Sequence, residues 1–138
     1  MNFRTSILVA VGSAALLGSC ATTPDQAVHS PKAQKELDEA LAGRTPGAPV
    51  NCLPHWRTND MDIIDDKTIL FRDGDTVYVQ NPRGGCNGLG GGIYTLVTRQ
   101  FGTTQLCSGD INRLVDTHTG MAGGSCVFSP FIPYTKSN

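Results

Sequence analysis

Four cysteines, Cys52, Cys86, Cys107 and Cys126, stand far apart in the C-terminal part of this 138-residue chain, separated by 34, 21 and 19 positions. Zinc sites usually bring cysteines in close pairs such as C-x-x-C. None occurs at this spacing, so the residues favour two disulfides. Four cysteines permit three connectivities. The preferred one joins Cys86 to Cys107 across a hairpin and Cys52 to Cys126 at the two ends of a domain. Each closure would stabilise the fold by on the order of 3 to 4 kcal/mol in the chain-entropy model. That matters for a domain as small as residues 51–138, which buries only about 60 to 65% of its unfolded surface.

Disulfides require an oxidising compartment, and the N-terminus supplies an address. Arg4 precedes an apolar run from Ile7 to Leu17, which closes on Leu16-Leu17-Gly18-Ser19-Cys20. Charged, apolar and small residues in that order form the pattern of an export signal. The last five resemble a bacterial lipoprotein lipobox. The resemblance implies cleavage before Cys20 and lipidation of its sulfur, which gives the chain a membrane anchor, and Ala21 favours the outer membrane over inner-membrane retention. The apolar run is shorter than the about 20 residues of a spanning helix, so no permanent transmembrane anchor is expected. An ordinary cleaved signal with Cys20 discarded and a buried helix are the other readings. Processing at Cys20 leaves 138 − 19 = 119 residues, and loss of Arg4 moves the formal charge from −1 to −2. No two cations are adjacent in the sequence, so the clustering that a nucleic-acid partner requires is missing.

Composition divides the remainder near Val50. Residues 20–50 carry Pro24, Pro31, Pro46 and Pro49 and no aromatic residue, the composition of a tether that cannot bury enough apolar area to fold alone. Within it, Ser30 as N-cap, Pro31 at the first helical position, good helix formers from Ala33 to Ala42 and Gly43 as terminator predict a short helix. Its apolar stripe, Leu37, Ala40 and Leu41, is narrow, which predicts a solvated spacer, with a partner-binding helix as the alternative.

Every aromatic residue beyond Phe3 falls in residues 51–138, among short β-patterned runs bounded by Gly, Pro, Asn and Asp. Lys67–Arg72 and Asp75–Gln80 flank Asp73-Gly74, which suits a type I′ hairpin turn with Arg72 opposite Asp75 and Leu70 opposite Val77. Further strands are expected at Ile93–Thr98, around Gln105–Cys107, at Ile111–Asp116 and at Ser125–Phe128. The fold class is therefore mainly all-β: a small antiparallel sheet closed into a barrel or sandwich, with a short helix in the tether. Cys52-Leu53-Pro54, Cys86-Asn87-Gly88-Leu89, Leu106-Cys107-Ser108-Gly109-Asp110 and Cys126-Val127-Phe128 with Phe131 resemble an uncharacterised family of small exported bacterial proteins, classed as a domain of unknown function. That resemblance implies a disulfide-dependent β domain and carries no activity or site residue with it.

Residues 84–92 contain six glycines in nine positions. Neither a Gly-Lys-Ser/Thr ending nor a G-x-G-x-x-G between strand and helix is present, so the stretch reads as a tight crossing around a disulfide. As a recognition loop, its polar contacts would be Arg83 and Asn87. Asp60, Asp62, Asp65 and Asp66 break the calcium-loop pattern, because Ile64 stands at the third ligand position. Asp110 suits an Asx-type turn and is the carboxylate most worth following. Gly123-Gly124-Ser125-Cys126-Val127 departs from G-x-S-x-G, the four cysteines are committed, and His29, His55 and His118 lack helical metal-site partners. No cofactor or metal is expected. The leading expectation is a noncatalytic binding or structural protein of the cell envelope with a protein partner. The alternatives are an inhibitor of a lytic enzyme that inserts loop 84–92 or 121–125, and a hydrolase built around Asp110, His55 or His118.

Overall fold

The computed structural model of the chain describes residues 28–53, 60–99 and 104–137. The export-signal pattern, Cys20, His55 and Trp56 lie outside the described residues. One helix, α1 (Pro31–Leu41), precedes β1 (Arg44–Pro46), β2 (Met61–Ile63), β3 (Ile69–Asp73), β4 (Thr76–Gln80), β5 (Tyr94–Thr98), β6 (Ile111–Asp116), β7 (Ala122–Val127) and β8 (Ile132–Lys136). The fold is mainly β, as the residue pattern predicts. Its strands form two antiparallel sheets, one ordered β1-β8-β4-β3-β2 and the other β5-β6-β7. Neither sheet closes into a barrel. The outer strands of the larger sheet, β1 and β2, have three residues each and pair only inward, to β8 and β3.

The β3–β4 hairpin forms with its turn moved by one residue. Asp73 pairs with Thr76, Arg72 with Val77 and Leu70 with Val79, so Gly74-Asp75 makes the turn in place of Asp73-Gly74. A type I′ turn at Asp73-Gly74 would have required positive φ at an aspartate as well as at the glycine. In the observed turn Gly74 alone is left-handed, with φ +56. The shift keeps Leu70 and Val77 on one face, because pairing partners move by two residues.

β3 is buried on both faces at Ile69, Leu70 and Phe71, which explains its continuous apolar run. On one face Leu70, Val77 and Val79 form a cluster against which Leu37, Ala40 and Leu41 of α1 pack. The expected solvated spacer is therefore docked: Ser30 Oγ accepts the Ala33 amide as N-cap, and β1 adds to the sheet beside β8. A narrow stripe of two leucines and an alanine suffices because the sheet offers a matching apolar face, which the helix sequence alone cannot reveal. On the other face Ile69 and Phe71 join Leu53, Leu89, Leu106, Leu114, Cys126, Phe128 and Phe131. Phe71, Phe128 and Phe131 meet edge to face with centroids 5.6–6.0 Å apart, the arrangement that aromatic quadrupoles favour. Gln80, fully buried, donates to the Ser129 carbonyl at 2.7 Å and accepts the Ser129 amide at 2.9 Å. Both halves of its amide are thus satisfied in the core.

The disulfides join Cys52 to Cys107 and Cys86 to Cys126. This corrects the preferred pairing. Cys107 lies on no hairpin with Cys86. Its segment runs antiparallel beside Cys52, where Leu53 donates to Leu106 and Ser108 to Asn51. Cys126 points inward from β7 and meets Cys86 in the core. Of the expected strands, β5 and β6 appear nearly as bounded, β7 begins earlier, and Gln105–Cys107 contributes only the bridge to Cys52. β1, β2 and β8 have no counterpart among the expected strands.

Candidate functional site

Two open cavities of about 760 and 420 Å³ flank α1, and both are lined by Glu36 and Ile64. Together they make a groove between the helix and the segment from Met61 to Lys67. At one end Ala40, Met61, Ile63 and Ile64 line it among the charged side chains of Glu36, Glu39, Arg44, Asp62, Arg72 and Lys136, and polar surface predominates. At the other end lie Ser30, Lys32, Asp65, Asp66, Gly90 and Gly91. The groove exists because α1 docks by a narrow stripe and leaves its flank, Glu36 and Glu39, beside β2.

The charges around this groove are largely paired. Arg72 Nε donates to Asp62 Oδ2 at 2.7 Å, and Lys32 and Lys35 reach Glu36 and Glu39 one turn along the helix at 3.7 and 3.8 Å. Arg44 donates to the Asp75 carbonyl. His29 Nδ1 meets Asp65 Oδ2 at 2.6 Å, with 8% of the histidine side chain exposed. The other Asp65 oxygen accepts the amides of Lys67 and Thr68, so this aspartate ties the start of α1 to the turn before β3. The His29–Asp65 contact is not legible in sequence, because 36 positions separate the two.

The glycine stretch stands at the end of the same groove. The Asp66 carboxylate accepts the amides of Gly88 and Gly90 at 2.9 and 2.7 Å, and the Asp66 carbonyl accepts the Cys86 amide. Those donors resemble a phosphate cradle in kind, but an internal carboxylate occupies them. A Cβ at Gly90 would fall 2.8 Å from Asp65 Cα, so close passage of backbone against backbone is why glycine is needed there. Arg83 and Asn87 are both exposed on this stretch, and the Arg83 amide bonds to Val127.

Asp110 stands apart from the groove and serves its own turn. Its Oδ2 accepts the Cys107 amide at 2.7 Å, and its carbonyl accepts the Phe128 amide. His118 sits in the β6–β7 turn, where its amide and that of Thr119 donate to Asp116 Oδ1. These two amides hold the Asp116 carboxyl below the usual carboxylate range. The Tyr78 hydroxyl is pushed above its ordinary value by burial and then by the nearby Asp73 charge. Neither perturbed group lines the groove. No group of three or more His, Cys, Asp or Glu among the described residues could hold a metal ion, and no described helix is long and apolar enough to cross a membrane.

No family model, curated protein or solved structure matches the chain.

Proposed function

We propose that this protein is a lipid-anchored component of the bacterial cell envelope that works by binding, with no catalytic step, and that the groove along α1 receives a segment of an envelope protein. The supporting observation is the make-up of the groove: apolar side chains of α1 and β2 interspersed with charges, most of which are paired within the chain. Protein interaction sites mix apolar and polar surface in this way. We read the two sheets as layers of a sandwich with α1 on its outer side. In that arrangement the lipid at Cys20 would tether the chain close to the helix that forms one groove wall.

The test places a photo-crosslinking amino acid at Ile63 in intact envelopes and identifies the captured protein by mass spectrometry. A matched probe at Ser125, on the smaller sheet, serves as control. The proposal expects an adduct at Ile63 that is absent at Ser125 and disappears when Glu39→Lys reverses a charge on the exposed groove wall. Equal capture at both positions would refute it. The anchor is tested alongside: Cys20→Ser should release the chain from membranes with both disulfides intact.

One observation favours a second reading, inhibition of a lytic enzyme. Loop 84–92 is held by Asp66 and by the Cys86–Cys126 disulfide, and a rigid exposed loop is what insertion into an active-site cleft requires. A probe at Asn87 that captures a lytic enzyme, with none captured at Ile63, would favour this reading.

A further inference from the structure

Of the large apolar side chains that the described residues leave exposed, Val28, Ile93 and Met121 share one end of the molecule. Val28 lines the smaller cavity with Gly90 and Gly91, and Ile93 follows two positions later. The Ile93 carbonyl accepts both the amide and the hydroxyl of Thr117, which ties it to the β6–β7 turn where Met121 stands. The three are 83, 52 and 69% exposed, and none of them packs into either apolar cluster. Val97 and Ile111, also exposed, lie at the opposite end of the smaller sheet.

The charges at the Val28 end are sorted by sign. Its aspartates are turned onto the protein's own donors: Asp65 onto His29 and the Lys67 and Thr68 amides, Asp66 onto the Gly88 and Gly90 amides, and Asp116 onto the His118 and Thr119 amides. The cations are left outside. Lys67 is exposed and pairs with no described carboxylate, and Lys32, with 87% of its side chain exposed, reaches Glu36 only at 3.7 Å. Both lysines line the same cavity as Val28. Outward ammonium groups beside apolar tips suit the boundary of a bilayer, where acyl chains take up apolar side chains and phosphates take up cations. Chain length brings that boundary to this end. Eight positions separate Cys20 from Val28, so even fully extended they span at most about 28 Å, and a lipid on Cys20 holds Val28 within that distance of the leaflet.

We infer that this end of the domain rests on the phospholipid leaflet that holds the Cys20 anchor, with Val28, Ile93 and Met121 dipping among the acyl chains and Lys32 and Lys67 meeting the phosphates. The inference rests on the lipid anchor proposed above and gives the anchored domain one orientation, with Val97 and Ile111 turned away from the bilayer. Contacts of this size orient the chain and do not hold it alone, in keeping with its release by Cys20→Ser.

The test uses the chain purified from membranes and placed in nanodiscs of phosphatidylethanolamine and phosphatidylglycerol, with part of the lipid carrying a nitroxide near the headgroup. Intact mass first reports whether Cys20 is acylated, and methyl NMR then reads paramagnetic broadening side chain by side chain. The expected result is an acylated chain whose Val28, Ile93 and Met121 methyls lose most of their intensity while those of Val97 and Ile111 keep theirs. The double variant Lys32→Glu with Lys67→Glu changes two exposed positions, should keep both disulfides, and should lower the broadening at Ile93 and Met121 several-fold. An acylated chain broadened equally at both ends, or only at Val97 and Ile111, or at none of the five, overturns the inference and leaves the anchor standing. Broadening unchanged in the double variant also overturns it. An unacylated chain overturns the anchor, and the inference with it.

Discussion

Among the glycines of the described residues, a side chain has least room at Gly123, because the ring of Tyr94 stands against it. A Cβ built at Gly123 falls 2.0 Å from Tyr94 Cε1, and one at Gly88 falls 2.8 Å from the same ring. The ring is thus held between two glycines and cannot retreat from one without meeting the other. Gly123 is not among the left-handed glycines, so the cost of a side chain there is steric and owes nothing to backbone strain. In Gly123→Ala the tyrosine must leave its slot or the strand must move, and overpacking of this kind costs about 3 kcal/mol. With an m-value of about 1.5 kcal/mol/M, the urea midpoint falls by roughly 2 M. The same substitution in a Tyr94→Ala background meets no ring. There it should stabilise by about 0.5 kcal/mol, because alanine lowers the entropy of the unfolded chain. The prediction is therefore a change of sign between backgrounds, read by urea denaturation of the four proteins of the cycle. Equal cost in both backgrounds, or a cost below about 0.5 kcal/mol with Tyr94 present, refutes the reasoning.

The covalent and ionic contacts carry further expectations. The sequence separations of the disulfides, 55 and 40 residues, give about 4 kcal/mol each in the chain-entropy model, so replacing either pair by alanine should leave a chain unfolded or close to it by circular dichroism. Cys86 and Cys126 are buried whereas Cys52 and Cys107 are partly exposed, so limited reduction followed by alkylation and mass spectrometry should label Cys52 and Cys107 first. Asp116 has a lowered folded pKa; its contribution is present above the unfolded aspartate value of about 3.9 and is lost as pH falls through the lower folded value. NMR titration of the His118 and Thr119 amides should show a transition below the ordinary carboxylate range that vanishes in Asp116→Asn.

Local signals suffice where local physics decides. Ser30, Pro31 and Gly43 bound α1 because a cap, a fixed φ and a terminator act within a few residues of themselves. The Asp73-Gly74-Asp75 stretch encodes a hairpin, and only its turn differs from expectation, because a shift of one residue relieves an aspartate of positive φ. Glycine density around Cys86 reflects close backbone passage, and Asp110 is its own turn's acceptor, both as the residue types imply. The groove itself is not legible in the sequence, since Ala40, Ile63 and Lys136 come from three separated elements.

What the chain encodes by itself is an inventory: one capped helix, alternating runs able to become strands, and four thiols in a spacing unsuited to zinc. Which thiols pair, where α1 docks and which edges stay open were decided by assembly. The reason is one of range. Capping and turn formation depend on neighbours a few positions away, whereas Cys126 reaches Cys86, and Leu37 reaches Leu70, only after two sheets have formed and brought distant segments face to face.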